Sequence, residues 1–148
     1  MSGFSKVFGC ILLFLVIMSC ATGNKFSDLL PSTKPSNAEV GRIFFYKVSS
    51  FGTALRPEVL LNGEKIGEVA GYSFFYIDRP PGDYELTIRT DVDHKTSFVL
   101  DKGQTRFIRF STSFGFFTGY VYGELVDEIQ ALSEIQNCVY TGAKTAAQ

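Results

Sequence analysis

The sequence predicts a mainly β protein: an antiparallel β-sandwich of six to eight strands with one short C-terminal α-helix. Three observations lead there. Between Gly41 and Val126, short apolar or alternating runs follow one another, separated by Gly, Pro, Asn and Asp. No stretch between those runs carries helical spacing. A capping signature at Asp127 then opens the one segment whose apolar residues recur every third position. The length of 148 residues allows one domain. With 15 Phe and 7 Tyr the chain is too aromatic to be disordered. A net charge of −1 argues against nucleic acid as a partner. One His and three Cys leave little material for a zinc cluster or disulfide scaffold, so neither a metal nor another cofactor is expected.

Residues 1–19 read as an export signal. Lys6 is their only charge, and Val7 to Met18 is an apolar run of 12 residues. A membrane-spanning helix needs about 20, which disfavours an uncleaved span. The run ends in Ile17-Met18-Ser19-Cys20, which resembles the bacterial lipobox. The resemblance implies a lipoprotein signal peptide, cut between Ser19 and Cys20, with a lipid on the Cys20 sulfur and an acyl chain on the new amine. Cys10 follows Lys6 too closely to have an adequate apolar run before it. Several acyl chains on one residue hold a protein to a membrane far more firmly than a single chain. Neither Ala21 nor Thr22 is Asp, which in Gram-negative lipoproteins implies transport to the outer membrane, facing the periplasm. The expected location is therefore the cell envelope. The expected partners are the membrane, through the anchor, and another envelope protein.

Residues 20–39 are polar, with Pro31 and Pro35 and only Phe26, Leu29 and Leu30 of any bulk, and read as a lipidated tether. A flexible chain of that length spans about 20–25 Å. Without the leader, 129 residues remain with net charge −2, and Cys138 is the only thiol beyond the lipidated one. An intramolecular disulfide is then excluded, although the compartment permits one.

The sandwich domain is expected over residues 40–138. Gly41 to Val48, rich in aromatic and β-branched residues, is a strand. Val59-Leu60-Leu61, Asn62-Gly63 and Glu64 to Val69 form a hairpin, since Asn-Gly suits a type I′ turn with positive φ at both positions. Tyr72 to Asp78 is apolar on both faces and so a central strand. After the turn Arg79 to Asp83, residues Tyr84, Leu86 and Ile88 alternate with Glu85, Thr87 and Arg89, giving one buried and one wet face. Ser97 to Leu100 and Arg106 to Phe110 flank a turn at Asp101 to Gln104, and Tyr120 to Val126 is the last strand. Asp127 with Gln130 three residues on is a reciprocal capping arrangement. Ile129, Leu132 and Ile135 share one side of about three helical turns. Residues 139–148 form a flexible tail, with nothing to bury from Thr141 onward.

The succession of the Val59 to Gly63 hairpin, Ile66-Gly67, Tyr72, Pro81-Gly82-Asp83-Tyr84-Glu85-Leu86 and Lys102-Gly103-Gln104 resembles a bacterial family. This is domain of unknown function 2846, often found on lipoproteins, and the Pro-Gly turn also resembles the PEGA-type β-sandwich repeat. The likeness runs from about Arg42 to Ile135 and consists of turn chemistry, which specifies fold rather than activity. It carries no catalytic residues over.

Candidate sites are few. Asp91, Asp93 and His94 place two carboxylates and an imidazole together, but on one segment, where a solvated turn explains them as well as a metal does. No Ser sits in a nucleophile-elbow context, and Cys138 follows a helix rather than preceding one, so no dipole activates it. It is read as a small buried residue, an intermolecular disulfide being the alternative. Gly63, Gly67 and Gly71 read as turn and bulge glycines. Phe114-Gly115-Phe116-Phe117-Thr118-Gly119-Tyr120 is the most informative stretch. Phe114, Phe116, Phe117 and Tyr120 either form an exposed loop that meets a partner or lipid, or fold back to plug one end of the sandwich. The second suits a small domain short of core residues. The expected function is a lipid-anchored, non-catalytic binding or assembly module whose loops 50–57 and 113–119 meet a partner. A small ligand-binding protein or enzyme with an aromatic-lined pocket is the alternative.

Overall fold

The computed structural model describes residues 24–29, 31–51, 56–114 and 119–142. Among them are nine strands in two sheets and two helices. After the one-turn helix α1 (Phe26–Leu29), the strands are β1 (Gly41–Lys47), β2 (Glu58–Leu61), β3 (Glu64–Glu68), β4 (Ser73–Arg79), β5 (Gly82–Arg89), β6 (His94–Leu100), β7 (Thr105–Phe114) and β8 (Gly119–Val126). Helix α2 (Glu128–Glu134), a 3-10 turn (Ile135–Asn137) and the two-residue β9 (Val139–Tyr140) follow. One sheet has the order β8-β7-β1-β4-β9, the other β3-β2-β5-β6. The sandwich expectation holds, and no described helix is long and apolar enough to cross a membrane.

The two sheets share a core because each inner face is apolar at alternate positions. Ile43 and Phe45 of β1, Phe75 and Ile77 of β4, and Ile108 and Phe110 of β7 meet Val59, Leu61, Ile66, Leu86, Ile88 and Leu100 across the gap. Gly123 permits this approach on β8: a Cβ there would stand 2.7 Å from Leu86 Cδ2. The outer face of the second sheet is wet, with ion pairs such as Lys95–Glu85 and Lys65–Glu58. The outer face of the first sheet is covered instead. Phe44, Tyr46, Phe74 and Phe107 lie under Phe26, Ala131, Ile135 and Cys138. Every residue of β1 is therefore buried.

The Asn62-Gly63 turn forms as expected, with φ of 49° and 83°. Several expectations need correction. The first sheet is mixed, since β1 pairs in parallel with β7 and β4 with β9. Four strands intervene between β1, β4 and β7 in the chain and go to the second sheet, so β7 returns in the direction of β1. The turn expected at Asp101–Gln104 is present and carries the chain from one sheet to the other. At α2 only half of the capping box forms: Gln130 N–H donates to Asp127 Oδ1 (2.9 Å), while the Gln130 side chain donates to Glu134 Oε1 (2.8 Å). Ile129 is exposed, and Ala131 and Ile135 supply the buried side of the helix. Glu134 fixes that rotation by accepting from Tyr46 Oη (2.8 Å) and Arg109 Nη1 (2.7 Å).

A further correction concerns the segment read as a tether. From Asn24 onward its described residues pack on the first sheet. Phe26 sits edge-on against Phe44 and Phe74, with ring centroids 6.2 and 5.3 Å away. Its N–H donates to the Cys138 carbonyl (2.8 Å), and Lys25 bridges to Val139. Further along, Arg42 Nη1 donates to the Ser32 carbonyl (2.7 Å), the Thr105 hydroxyl donates to the Thr33 carbonyl, and Ser36 N–H donates to Asp78 Oδ2 (2.9 Å). Arg42 and Asp78 form a largely buried ion pair at 2.6 Å, with the guanidinium 4.4 Å from the centre of the Tyr76 ring. Val139 and Tyr140, read as the start of a loose tail, pair with β4.

Candidate functional site

One end of the sandwich gathers the end of β1 at Lys47, the start of β2 at Glu58, the turns 69–72 and 90–93, the end of β7 at Phe114 and the start of β8 at Gly119. The pairing register brings them together. Lys47 at the end of β1 lies opposite Ser73 at the start of β4. Val69 N–H donates to the Pro57 carbonyl (2.9 Å), and Phe114 lies opposite Gly119. His94 stacks on Tyr120 with centroids 4.5 Å apart, which ties the 90–93 turn to the start of β8. Among the described residues, four large apolar side chains are exposed at or beside these points: Phe51 (60% exposed), Tyr72 (51%), Val92 (66%) and Phe114 (58%). Three of these four, Phe114, Phe51 and Tyr72, border the adjacent strands β7, β1 and β4 of the first sheet.

The backbone strains to present them. Tyr72 has φ 48° and Arg56 φ 38°, left-handed values that bulky side chains rarely adopt. Tyr72 therefore leaves the strand it was expected to open, and β4 starts at Ser73. Phe51 and Phe114 touch edge to face at 4.5 Å, linking the loops after β1 and β7. Phe114 continues the inner-face row of Ile108, Phe110 and Thr112, but β7 runs on past the end of β1, so its ring reaches solvent.

Beneath this pair lies Lys47. The alternation that turns Ile43 and Phe45 inward also turns Lys47 inward, and its side chain is fully buried. Nζ donates to Thr112 Oγ1 (2.7 Å), and the Thr112 hydroxyl donates to the Phe51 carbonyl (3.1 Å). Burial pulls the amine below the ordinary lysine pKa. Residues 48–57 and 111–120 contain no Asp or Glu. The amine thus acts as a polar post beneath Phe51, holding one aromatic tip in place through Thr112.

The candidate residues of the sequence fall out as follows. Phe114 and Tyr120 are both at the loop end but keep different company, Phe51 for the first and His94 for the second. Ser19, Cys20, Phe116 and Phe117 lie outside the described residues. His94 opens β6 rather than sitting in the turn, and among the described residues no group of three His, Cys, Asp or Glu side chains is placed to hold a metal. Cys138 is buried, with its thiol donating to the Lys47 carbonyl at 3.4 Å, and burial pushes it up to about 11. Open clefts occur beside His94, Tyr120 and Tyr122 (about 410 Å³) and, away from the loop end, beside Tyr84 and Phe98 (about 450 Å³). Phe51 entered the sequence reading only as part of the 50–57 loop, and Tyr72 and Lys47 escaped it as site residues. An aromatic ring among small residues, as in Ser49-Ser50-Phe51-Gly52, was the available signal for the first.

Comparison with known proteins adds kinship. The model of the family described as protein of unknown function (DUF2846) matches residues 37–122, from just before β1 into β8. An uncharacterized protein of Haemophilus influenzae is 29% identical over 120 residues, covering 77% of this chain and 71% of that protein. The family match ends before α2 and begins after the docked segment around Phe26.

Proposed function

The chain belongs to the DUF2846 family of proteins of unknown function, and we propose that it serves as a lipid-anchored, non-catalytic envelope module that makes contacts through its loop end. The observation that carries the reading is the convergence of Phe51, Tyr72, Val92 and Phe114 at one end of a rigid sandwich. Rigid strands with exposed apolar loop tips suit recognition of a surface rather than chemistry on a small molecule. The anchor rests on Ile17-Met18-Ser19-Cys20. In a bacterial host the protein is expected in the membrane pellet and to take up labelled palmitate, and Cys20→Ser is expected to abolish that uptake. A wild-type chain that takes up no palmitate, or a Cys20→Ser chain that takes up as much, overturns the anchor.

A second reading has one observation in its favour. The open cleft beside His94, Lys95, Tyr120 and Tyr122 offers aromatic faces and polar groups to a small ligand. Co-purification of a small molecule, lost on Tyr122→Ser, supports that reading over the module.

A further inference from the structure

We propose that the aromatic row Phe114–Phe51–Tyr72 rests on the lipid surface to which the chain is anchored, so that the sandwich stands with its loop end against the bilayer. This rests on the anchor at Cys20 proposed above and adds an orientation to it.

Three observations favour lipid as the occupant. The first is where the chain enters the fold. The Asn24 carbonyl accepts from Tyr140 N–H (2.9 Å), Tyr140 is the partner of Phe74, and Phe74 is the partner of Tyr46. That row is one residue from the loop end of the sheet, at Lys47 and Ser73, and five residues from the other end, at Gly41 and Arg79. At a strand rise of about 3.4 Å per residue, the far end lies about 17 Å away. The second is the slack. Cys20 precedes Asn24 by four residues, which span at most about 14 Å when fully extended. The Cys20 backbone can therefore reach the level of the loop end with slack to spare, and falls about 3 Å short of the far end. A free tether starting from Val40 imposes no such choice.

The third is lateral order. Val139 N–H donates to the Tyr72 carbonyl (2.8 Å), and Lys25 bridges to Val139. Along this edge the sequence of features is Phe114, Phe51, Tyr72, then the entering chain, over strands about 4.8 Å apart. Anchor and aromatic tips thus share one edge of one sheet. Tyr and Phe at such a boundary place an apolar body in lipid with, for Tyr, a polar tip in water. Asp91 and Asp93 flank Val92 on the other sheet, and two carboxylates resist entry into a bilayer. The contact is accordingly made by the three aromatics of the first sheet, with the 90–93 turn tilted toward water.

The chain contains no Trp, so a single introduced Trp is the sole indole reporter. Full-length Phe51→Trp, Phe114→Trp and Leu125→Trp proteins, extracted from bacterial membranes, are reconstituted into phosphatidylethanolamine–phosphatidylglycerol vesicles with and without lipids brominated on the upper acyl chain. Leu125 is an exposed site near the opposite end of β8. Flotation of the vesicles reports the anchor, and quenching reports the orientation. The expected result is flotation of all three proteins with several-fold stronger quenching, and a blue-shifted emission, for Phe51→Trp and Phe114→Trp than for Leu125→Trp. Flotation with equal quenching, or with the strongest quenching in Leu125→Trp, overturns the orientation and leaves the anchor standing. Failure to float overturns both.

Discussion

Phe26→Ala removes the side chain on which the docking of the N-terminal segment turns. Its ring is 3% exposed and makes edge-on contacts with Phe44 and Phe74. Burying a Phe side chain contributes about 1.5–3 kcal/mol, and the cavity left behind brings Phe→Ala changes in cores to about 3–5 kcal/mol. The segment has a second route, which is to peel away from the sheet and give up the Lys25 bridge and the contacts to Cys138, Arg42 and Asp78. That route limits the cost, so about 3 kcal/mol is expected. For a chain of this length each kcal/mol lowers Tm by about 2–4 °C, which gives a fall of roughly 6–12 °C. Thermal unfolding followed by circular dichroism reads it directly. Urea unfolding separates the routes: an unchanged m-value means a cavity in a docked segment, and a smaller one means that the variant has already exposed surface when native. A fall in Tm below about 2 °C, the range of an ordinary surface substitution, refutes the docked segment and restores the free tether.

Further expectations concern other contacts. The Arg42 guanidinium, aided by Ser36, holds Asp78 down to about 2, below the ordinary carboxylate value of 3.8. A lowered folded-state pKa contributes stability above the unfolded value that is lost as pH falls through the folded one, so up to about 2 kcal/mol disappears between about pH 5 and pH 2. Asp78→Asn should flatten the Tm-against-pH curve over that window; an unchanged curve contradicts the role of the pair. Cys138, buried and with its pKa pushed up to about 11, should resist an aromatic disulfide reagent at pH 8 until the protein is unfolded, and should form no dimer on non-reducing gels. Rapid labelling of the native protein excludes the buried thiol. Gly123→Ala puts a methyl against Leu86 and Ile108 between the sheets and should cost about 1–3 kcal/mol in urea unfolding. Phe114→Ser, at an exposed tip, should change Tm by less than about 2 °C.

What the sequence showed and what it hid follow from where the information lies. The Asn62-Gly63 turn and the Asp127 cap were legible because their chemistry is local. Phe74 and Phe75 on opposite faces announced a strand covered on both sides, since each face needs its own apolar partner. The docked segment was hidden because one ring and a few backbone carbonyls hold it. Ser32 and Thr33 accept through main-chain oxygens, which any residue would offer. The sheet change at Asp101–Gln104 was hidden because a turn motif says that the chain reverses, not which strand it then joins. Lys47 was read within an apolar strand without its burial being seen, because the compensating hydroxyl of Thr112 comes from 65 residues away. At the loop end the aromatic composition was visible, but the convergence of Phe51, Tyr72 and Phe114 depends on strand order.

The lipid anchor at Cys20 is read most plainly from the intact mass of the protein extracted from bacterial membranes. The expected species is a chain that begins at Cys20, heavier than its amino acids by a diacylglyceryl group and an amide-linked acyl chain, with the added mass confined to the peptide that begins at Cys20. A chain that still carries residues 1–19, or one that begins at Cys20 with an unmodified thiol, contradicts it.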